Sequence, residues 1–102
     1  MKIQLSDIAQ EEIEAIAVYL AKNFGFSVAH EKMSMLIHDI YMLEDHPFMG
    51  RAVEARDKNL RILYSKPNMV LYDVADPTVE ILHVVDARTD YARFFSLSNE
   101  NS

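Results

Sequence analysis

Cysteine is absent from these 102 residues, which removes disulfides, thiolate zinc sites and thiol nucleophiles together. Glycine occurs only twice, at Gly25 and Gly50, too sparsely for a glycine-rich loop that cradles phosphate. No apolar run approaches membrane-spanning length, and the opening Met1-Lys2-Ile3-Gln4-Leu5-Ser6-Asp7 lacks the apolar core of a secretion leader. A cytoplasmic protein with no membrane partner is therefore predicted, and a cysteine-free domain fits a reducing compartment. Positive charge is also scarce: ten Lys and Arg stand against 16 Asp and Glu, for a net charge of −6. That balance disfavours broad electrostatic binding to nucleic acid, which needs a basic face for phosphate.

What is present is half hydrophobic, enough for one core in a chain of this length. A single domain over residues 1–95 is predicted, with 96–102 as a frayed tail. The charge is unevenly spread. Residues 1–45 hold eight acids and three bases, whereas Arg51, Arg56, Lys58, Arg61 and Lys66 face only Glu54 and Asp57 over the next stretch. Arg88 and Arg93 follow. An acidic helical layer and a locally basic sheet are expected, as either a solvated surface or a binding face.

Ile3 and Leu5 alternate with polar residues in a short opening strand. Ser6 is a good N-cap, and Ala9, Ile13, Ile16, Ala17 and Leu20 recur on one face of a helix that should stop near Asn23, before Gly25. Ser27 is the next N-cap candidate. Ala29, Met33, Leu36, Ile37, Ile40 and Leu43 mark a second helix, halted near Asp45 by Pro47. The link Phe24-Gly25-Phe26 is so short that the two helices form an antiparallel hairpin. The period then changes. Leu60–Ser65, Met69–Ala75 and Val79–Ala87 read as strands, separated by Lys66-Pro67-Asn68 and Asp76-Pro77-Thr78 turns. Val79–Val85 is apolar toward both faces and belongs inside the sheet.

His30, His38 and His46 succeed one another at eight-residue steps, about 80° off one helical face, and form no paired metal ligands. No metal site or cofactor is predicted. His83 reads as a hydrogen-bonded, half-buried strand residue or as a functional imidazole. Met35 and Met42 lie beside the apolar stripe of the second helix, either in a wide buried face or toward a partner.

The succession of elements, the His46-Pro47-Phe48-Met49-Gly50 turn, the strand Asn68-Met69-Val70-Leu71-Tyr72-Asp73-Val74 and the strand Val79-Glu80-Ile81-Leu82-His83-Val84-Val85 resemble the ParE/RelE superfamily. These are toxins of bacterial type II toxin–antitoxin modules (plasmid stabilisation proteins), and the resemblance to the ParE branch is the stronger. It spans about residues 2 to 95. It implies an α+β fold of order β-α-α-β-β-β, a helical hairpin packed on a small antiparallel β-sheet, with a short C-terminal helix. It also implies growth inhibition by binding DNA gyrase, and neutralisation by a cognate antitoxin that binds around the C-terminal segment. A homodimer is a further expectation.

RelE-type members cleave mRNA on the ribosome with a cluster of basic residues and a C-terminal tyrosine or histidine. On that pattern Arg61 and Arg88 match basic positions, but Leu63 stands where a lysine is expected. Met69-Val70-Leu71-Tyr72 lacks a leading arginine, Phe94 falls near the terminal tyrosine, and Tyr91 is a displaced substitute. The last strand runs into Asp86-Ala87-Arg88-Thr89-Asp90, where ParE chains carry a histidine and a basic pair. The alternatives are therefore a ribosome-dependent mRNA endoribonuclease centred on Arg61, Arg88 and Tyr91, or a non-toxic relative that only binds a partner. The resemblance gives Arg61, Tyr64, Arg88, Tyr91, Arg93 and Phe94 as partner-binding positions. The competing role for Arg61 and Arg88 is pairing with Asp73, Asp86 or Asp90.

Overall fold

Strand alternation ends at Leu5 and helical periodicity begins at Asp7, with Ser6 at the junction. In the computed structural model, which describes residues 1–54 and 59–94, β1 spans Lys2–Leu5 and α1 spans Asp7–Phe24. The Ser6 hydroxyl accepts from the Ala9 N–H at 2.9 Å and so caps α1. Gly25 alone separates α1 from α2 (Phe26–Tyr41), at φ 87°. Its N–H closes the first helix on the Ala21 carbonyl and its own carbonyl opens the second by accepting from Ala29. That positive φ favours glycine. Ser27 is therefore a residue inside α2 and not its cap, which Gly25 forms without a side-chain bond.

The second helix tightens into a 3₁₀ turn at Met42–Glu44 before Pro47. The sheet then builds from β2 (Arg51–Ala52), β3 (Leu60–Ser65), β4 (Asn68–Ala75) and β5 (Thr78–Asp86), in spatial order β1-β5-β4-β3-β2. The two-residue β2 was not predicted, being too short to show a period. Pairing is antiparallel except between β1 and β5, which run parallel with Ile3 opposite Val79 and Leu5 opposite Ile81. The sheet is thus mixed rather than antiparallel throughout. The chain between β1 and β5 runs through the helical hairpin and the three other strands, a long connection of the kind a parallel neighbour requires.

One irregularity decides which β5 residues face which way. Leu71 pairs with His83 while Tyr72 pairs with Ile81, so Leu82 is an extra residue, a bulge. Alternation is broken there: Val79, Ile81 and Val84 all enter the core beneath the helices, while Val85 turns to the other face. The Ser6 hydroxyl donates to the Leu82 carbonyl at 3.0 Å, tying the bulge to the cap of α1.

The main core joins Ala9, Leu36, Ile40 and Leu43 to Val70, Tyr72, Val79, Ile81 and Val84. The opposite face of the sheet carries no helix from the hairpin. There Ile62, Met69 and Leu71 are buried under Val53, Val85, Ala87, Tyr91 and Phe94. Residues 92–94 form a helical turn with Phe94 N–H on the Tyr91 carbonyl. Arg56, Asp57, Lys58 and the tail predicted for 96–102 lie outside the described residues. Among the described residues no helix is long and apolar enough to cross a membrane.

Candidate functional site on the helix-free face

Strand parity sorts the sequence-predicted positions. Arg61 is opposite Tyr72 and shares its helix-side face, whereas Tyr64 is opposite Met69 on the other. The two predicted site residues of β3 therefore lie on different faces.

Arg61 is engaged with its own chain. Its Nη1 donates to the Gly50 carbonyl at 2.8 Å and to the Phe48 carbonyl at 3.2 Å, and the guanidinium lies 4.9 Å from the Phe48 ring centroid. Nε is buried with no hydrogen-bond partner among the described residues. Tyr72, fully buried, completes the fixing of the same turn. Its hydroxyl donates to the Pro47 carbonyl at 2.8 Å and accepts from the Gly50 N–H at 2.9 Å. Burial pushes the Tyr72 phenol up, against smaller opposing effects of the Gly50 N–H and the Arg61 charge, so it remains a donor at neutral pH. Gly50 is required by space: a Cβ there would stand 2.6 Å from the Tyr72 hydroxyl and 2.8 Å from the Ile62 carbonyl oxygen. The predicted turn at 46–50 is thus held by one tyrosine and one arginine.

Arg88 is almost fully exposed, at 91 %, and is forked onto Asp86 through Nε to Oδ1 at 2.9 Å and Nη2 to Oδ2 at 3.0 Å. The Arg88 side chain, then its N–H, hold the Asp86 carboxyl down at about 2. Asp86 is one of the three pairing partners anticipated for Arg88. Arg93 is exposed, 5.8 Å from the Phe94 ring centroid.

On the helix-free face the cation with a shaped environment is Arg51, one of the basic cluster but not a predicted site residue. It pairs with Ile62 at the sheet edge, next to Tyr64. Its guanidinium lies 5.4 Å from the Tyr91 ring centroid. Hydrogen bonds to the side chains of Tyr64 and then Tyr91 push it further up, so it stays cationic. Tyr64 is 47 % exposed, so the group formed by Arg51, Tyr64 and Tyr91 is open to a visiting molecule. In the sequence, Arg51 stood out only as the first member of the basic stretch from Arg51 to Lys66.

The same C-terminal turn is anchored at its other end. The Phe94 ring stacks on His83 with centroids 4.1 Å apart and planes at 25°. His83 Nδ1 lies 3.3 Å from Glu12 Oε2, while Glu12 Oε1 accepts from the Val84 N–H at 2.9 Å. His83 is therefore the hydrogen-bonded, half-buried residue of the two readings. Tyr91 and Phe94 sit between Arg51 and His83 as a wedge over Met69 and Leu71. Met35 is 60 % exposed, which settles it as outside the buried helix face. Among the described residues no group of three or more His, Asp or Glu could hold a metal ion.

Chemically, Arg51 flanked by two phenols offers an anion contact and aromatic surface, the residue types that dominate protein interfaces. Arg61, Arg88 and Tyr91 do not converge: the first is on the helix side, the second on its own turn and the third on the helix-free face.

The fold is that of known toxins. A chain of the chromosomal ParDE TA system from P. aeruginosa superposes with a TM-score of 0.69 at 17% identity, covering 84% of this chain and 95% of that one. The isolated E. coli RelE toxin gives 0.54 at 14% identity, over 97% of each chain. The conserved hypothetical protein HP0894 from Helicobacter pylori gives 0.52 at 23% identity, over 85% and 94%. No curated protein sequence matches the chain significantly. The family model for the ParE toxin of the type II toxin-antitoxin system, parDE, matches residues 3–91, and the chain belongs to that toxin family.

Proposed function

We propose that this chain is a toxin that inhibits DNA gyrase by binding it in the cytoplasm, performs no chemistry of its own, and is silenced by a cognate antitoxin. The observation that carries this reading is the engagement of Arg61 and Arg88 within the chain. A ribonuclease must place several cations around one phosphodiester. Here one candidate cation is bound to the carbonyls of Phe48 and Gly50 and another to Asp86, on different parts of the molecule. The net charge of −6 works in the same direction, because ribosomal RNA repels an acidic protein. The open cluster of Arg51, Tyr64 and Tyr91 supplies the interface chemistry that inhibition by binding requires.

The test is induced expression in a susceptible bacterium with pulse-labelled DNA and protein synthesis. An early halt in DNA synthesis while translation continues is expected. Prompt loss of translation with cut mRNA overturns the gyrase reading and favours the endoribonuclease, with the Arg51 group as its cation. Growth without arrest of either process identifies a relative that only binds a partner.

A further inference from the structure

Arg51, Arg61 and Arg88 differ in the kind of partner that holds them. Arg61 gives its Nη1 to two main-chain carbonyls, and Arg88 is forked onto the carboxylate of Asp86. Arg51 is held by neutral groups instead, the phenol oxygens of Tyr64 and Tyr91, with the Tyr91 ring centroid 5.4 Å from its guanidinium. Among the described residues the ion pairs are His83 with Glu12 and Arg88 with Asp86, and neither involves Arg51. A phenol orients a guanidinium without cancelling its charge. Arg51 is thus a cation fixed in place and still uncompensated.

The chemistry around it selects the visitor. A tyrosine hydroxyl accepts and donates at once, so Tyr64, about half exposed, can bond Arg51 and still offer its proton to an incoming oxygen. Guanidinium N–H groups beside a phenol O–H make a receptor for a planar anion with several lone pairs, which a carboxylate is. A nucleic-acid backbone asks for something else, namely cations repeated along a track. Beside this cluster the sheet face is apolar, with Ile62, Met69 and Leu71 under Val53, Val85 and Phe94. The adjoining turn carries the carboxylate of Asp90, which accepts from the Ala92 N–H at 3.1 Å, and the nearby Arg88 is already occupied. One held cation between apolar surface and a carboxylate suits a single acidic side chain of a protein, and repels a polyanion.

We propose that Arg51, with the Tyr64 hydroxyl as a second donor and Tyr91 as the ring that fixes the guanidinium, receives an aspartate or glutamate side chain on the surface of gyrase. This deepens the reading of the chain as a gyrase-binding toxin and rests on it. The guanidinium is oriented before the encounter, so less freedom is lost when the carboxylate arrives. The rest of the molecule contributes by repulsion. With a net charge of −6, it turns an acidic target patch away everywhere but at its local cations, which sets the orientation of docking.

The experiment measures binding of the full chain, labelled, to purified gyrase without DNA, so that no nucleic acid bridges the two. Arg51→Gln is expected to weaken binding by about 30-fold or more, because it leaves the partner's carboxylate covered and unpaired. Tyr64→Phe keeps the ring and loses the hydroxyl, for a loss of about fivefold. Lys22→Gln removes the same unit of charge from the exposed end of α1 and should keep the parental affinity. Arg51→Lys keeps the charge without the fork and should bind better than Arg51→Gln. It also sets an amine beside the carboxylate, so carbodiimide should join position 51 to an Asp or Glu of gyrase, read by mass spectrometry of the linked peptides. Melting temperatures of all four variants should match the parent. Parental affinity in Arg51→Gln, or a bound Arg51→Lys protein with no link at position 51, overturns the carboxylate site and leaves the gyrase reading standing. Failure of the unaltered chain to bind gyrase overturns that reading and the site with it. Binding of a labelled single-stranded RNA that Arg51→Gln abolishes overturns the site in favour of phosphate as its occupant.

Discussion

Glu12, in the second turn of α1, bonds the main-chain N–H of Val84, and its other oxygen meets His83. Strand β1 stops pairing at Leu5 opposite Ile81, so β5 continues beyond its neighbour with its edge uncovered. A carboxylate from the helix takes the place of the next strand residue. The helix layer and the helix-free face are thereby joined through one side chain, because His83 in turn carries Phe94.

Glu12→Ala should orphan the Val84 N–H and cost about 1–2 kcal/mol, whereas Glu12→Gln keeps an acceptor and recovers most of it. Chemical denaturation measures the difference. Amide exchange at Val84 should accelerate in the alanine variant and remain slow in the glutamine variant.

Tyr72→Phe removes one donor and one acceptor from the 46–50 turn and leaves the Gly50 N–H without its partner. A loss of about 1–3 kcal/mol is expected. Gly50→Ala should cost at least as much, since its methyl meets both the Tyr72 hydroxyl and the Ile62 carbonyl. Similar midpoints for the two variants, both well below the parent, would fit one shared structural element. A Gly50→Ala protein as stable as the parent would show that this turn relaxes freely.

Arg51 and Arg61 should behave oppositely. Arg51→Ala is expected to abolish growth inhibition with an unchanged melting temperature. Arg61→Ala should lower stability by about 1–2 kcal/mol through loss of two carbonyl contacts. Any loss of inhibition in Arg61→Ala should then follow the folded fraction and return on cooling. Inhibition lost in a fully folded Arg61→Ala protein would place Arg61 in the target contact.

The Asp86–Arg88 pair has a defined acid limb. The carboxyl titrates at about 2, below its ordinary 3.8, so the folded state binds this proton less readily than the unfolded chain. Its stabilising contribution is complete above 3.8 and is lost as pH falls through about 2. Both groups are at the surface, so the contribution is small and screened by salt. Carboxyl NMR should give the low midpoint in the parent and a midpoint raised toward 3.8 in Arg88→Ala, still held below it by the main-chain N–H of residue 88.

Much of the architecture was readable because it rests on local repeats. Ala9, Leu36, Ile40 and Leu43 sit in the core at the helical spacing seen in the sequence, and the three long strands fall within a residue of the predicted limits. The parallel β1 and the Ser6 bond to Leu82 were not readable, since each depends on residues more than seventy positions apart meeting, and the bulge at Leu82 depends on how β5 registers on β4, which no local repeat shows. For the site, parity in Leu60-Arg61-Ile62-Leu63-Tyr64 already separated Arg61 from Tyr64, and that signal went unused. The role of Arg51 depends on Tyr64 and Tyr91 arriving from two other segments, which no spacing rule encodes.

The fastening of the 46–50 turn bears on how this protein meets a partner. Phe48 and Met49 stand at 54 % and 46 % exposure on a backbone held by Tyr72 and Arg61. Two apolar side chains are thus displayed on a loop whose shape is fixed before any encounter. The backbone freedom that a floppy loop gives up on association has here been given up in folding. Loosening the inner hydroxyl of Tyr72 would therefore slow or weaken recognition at a surface that Tyr72 itself never touches.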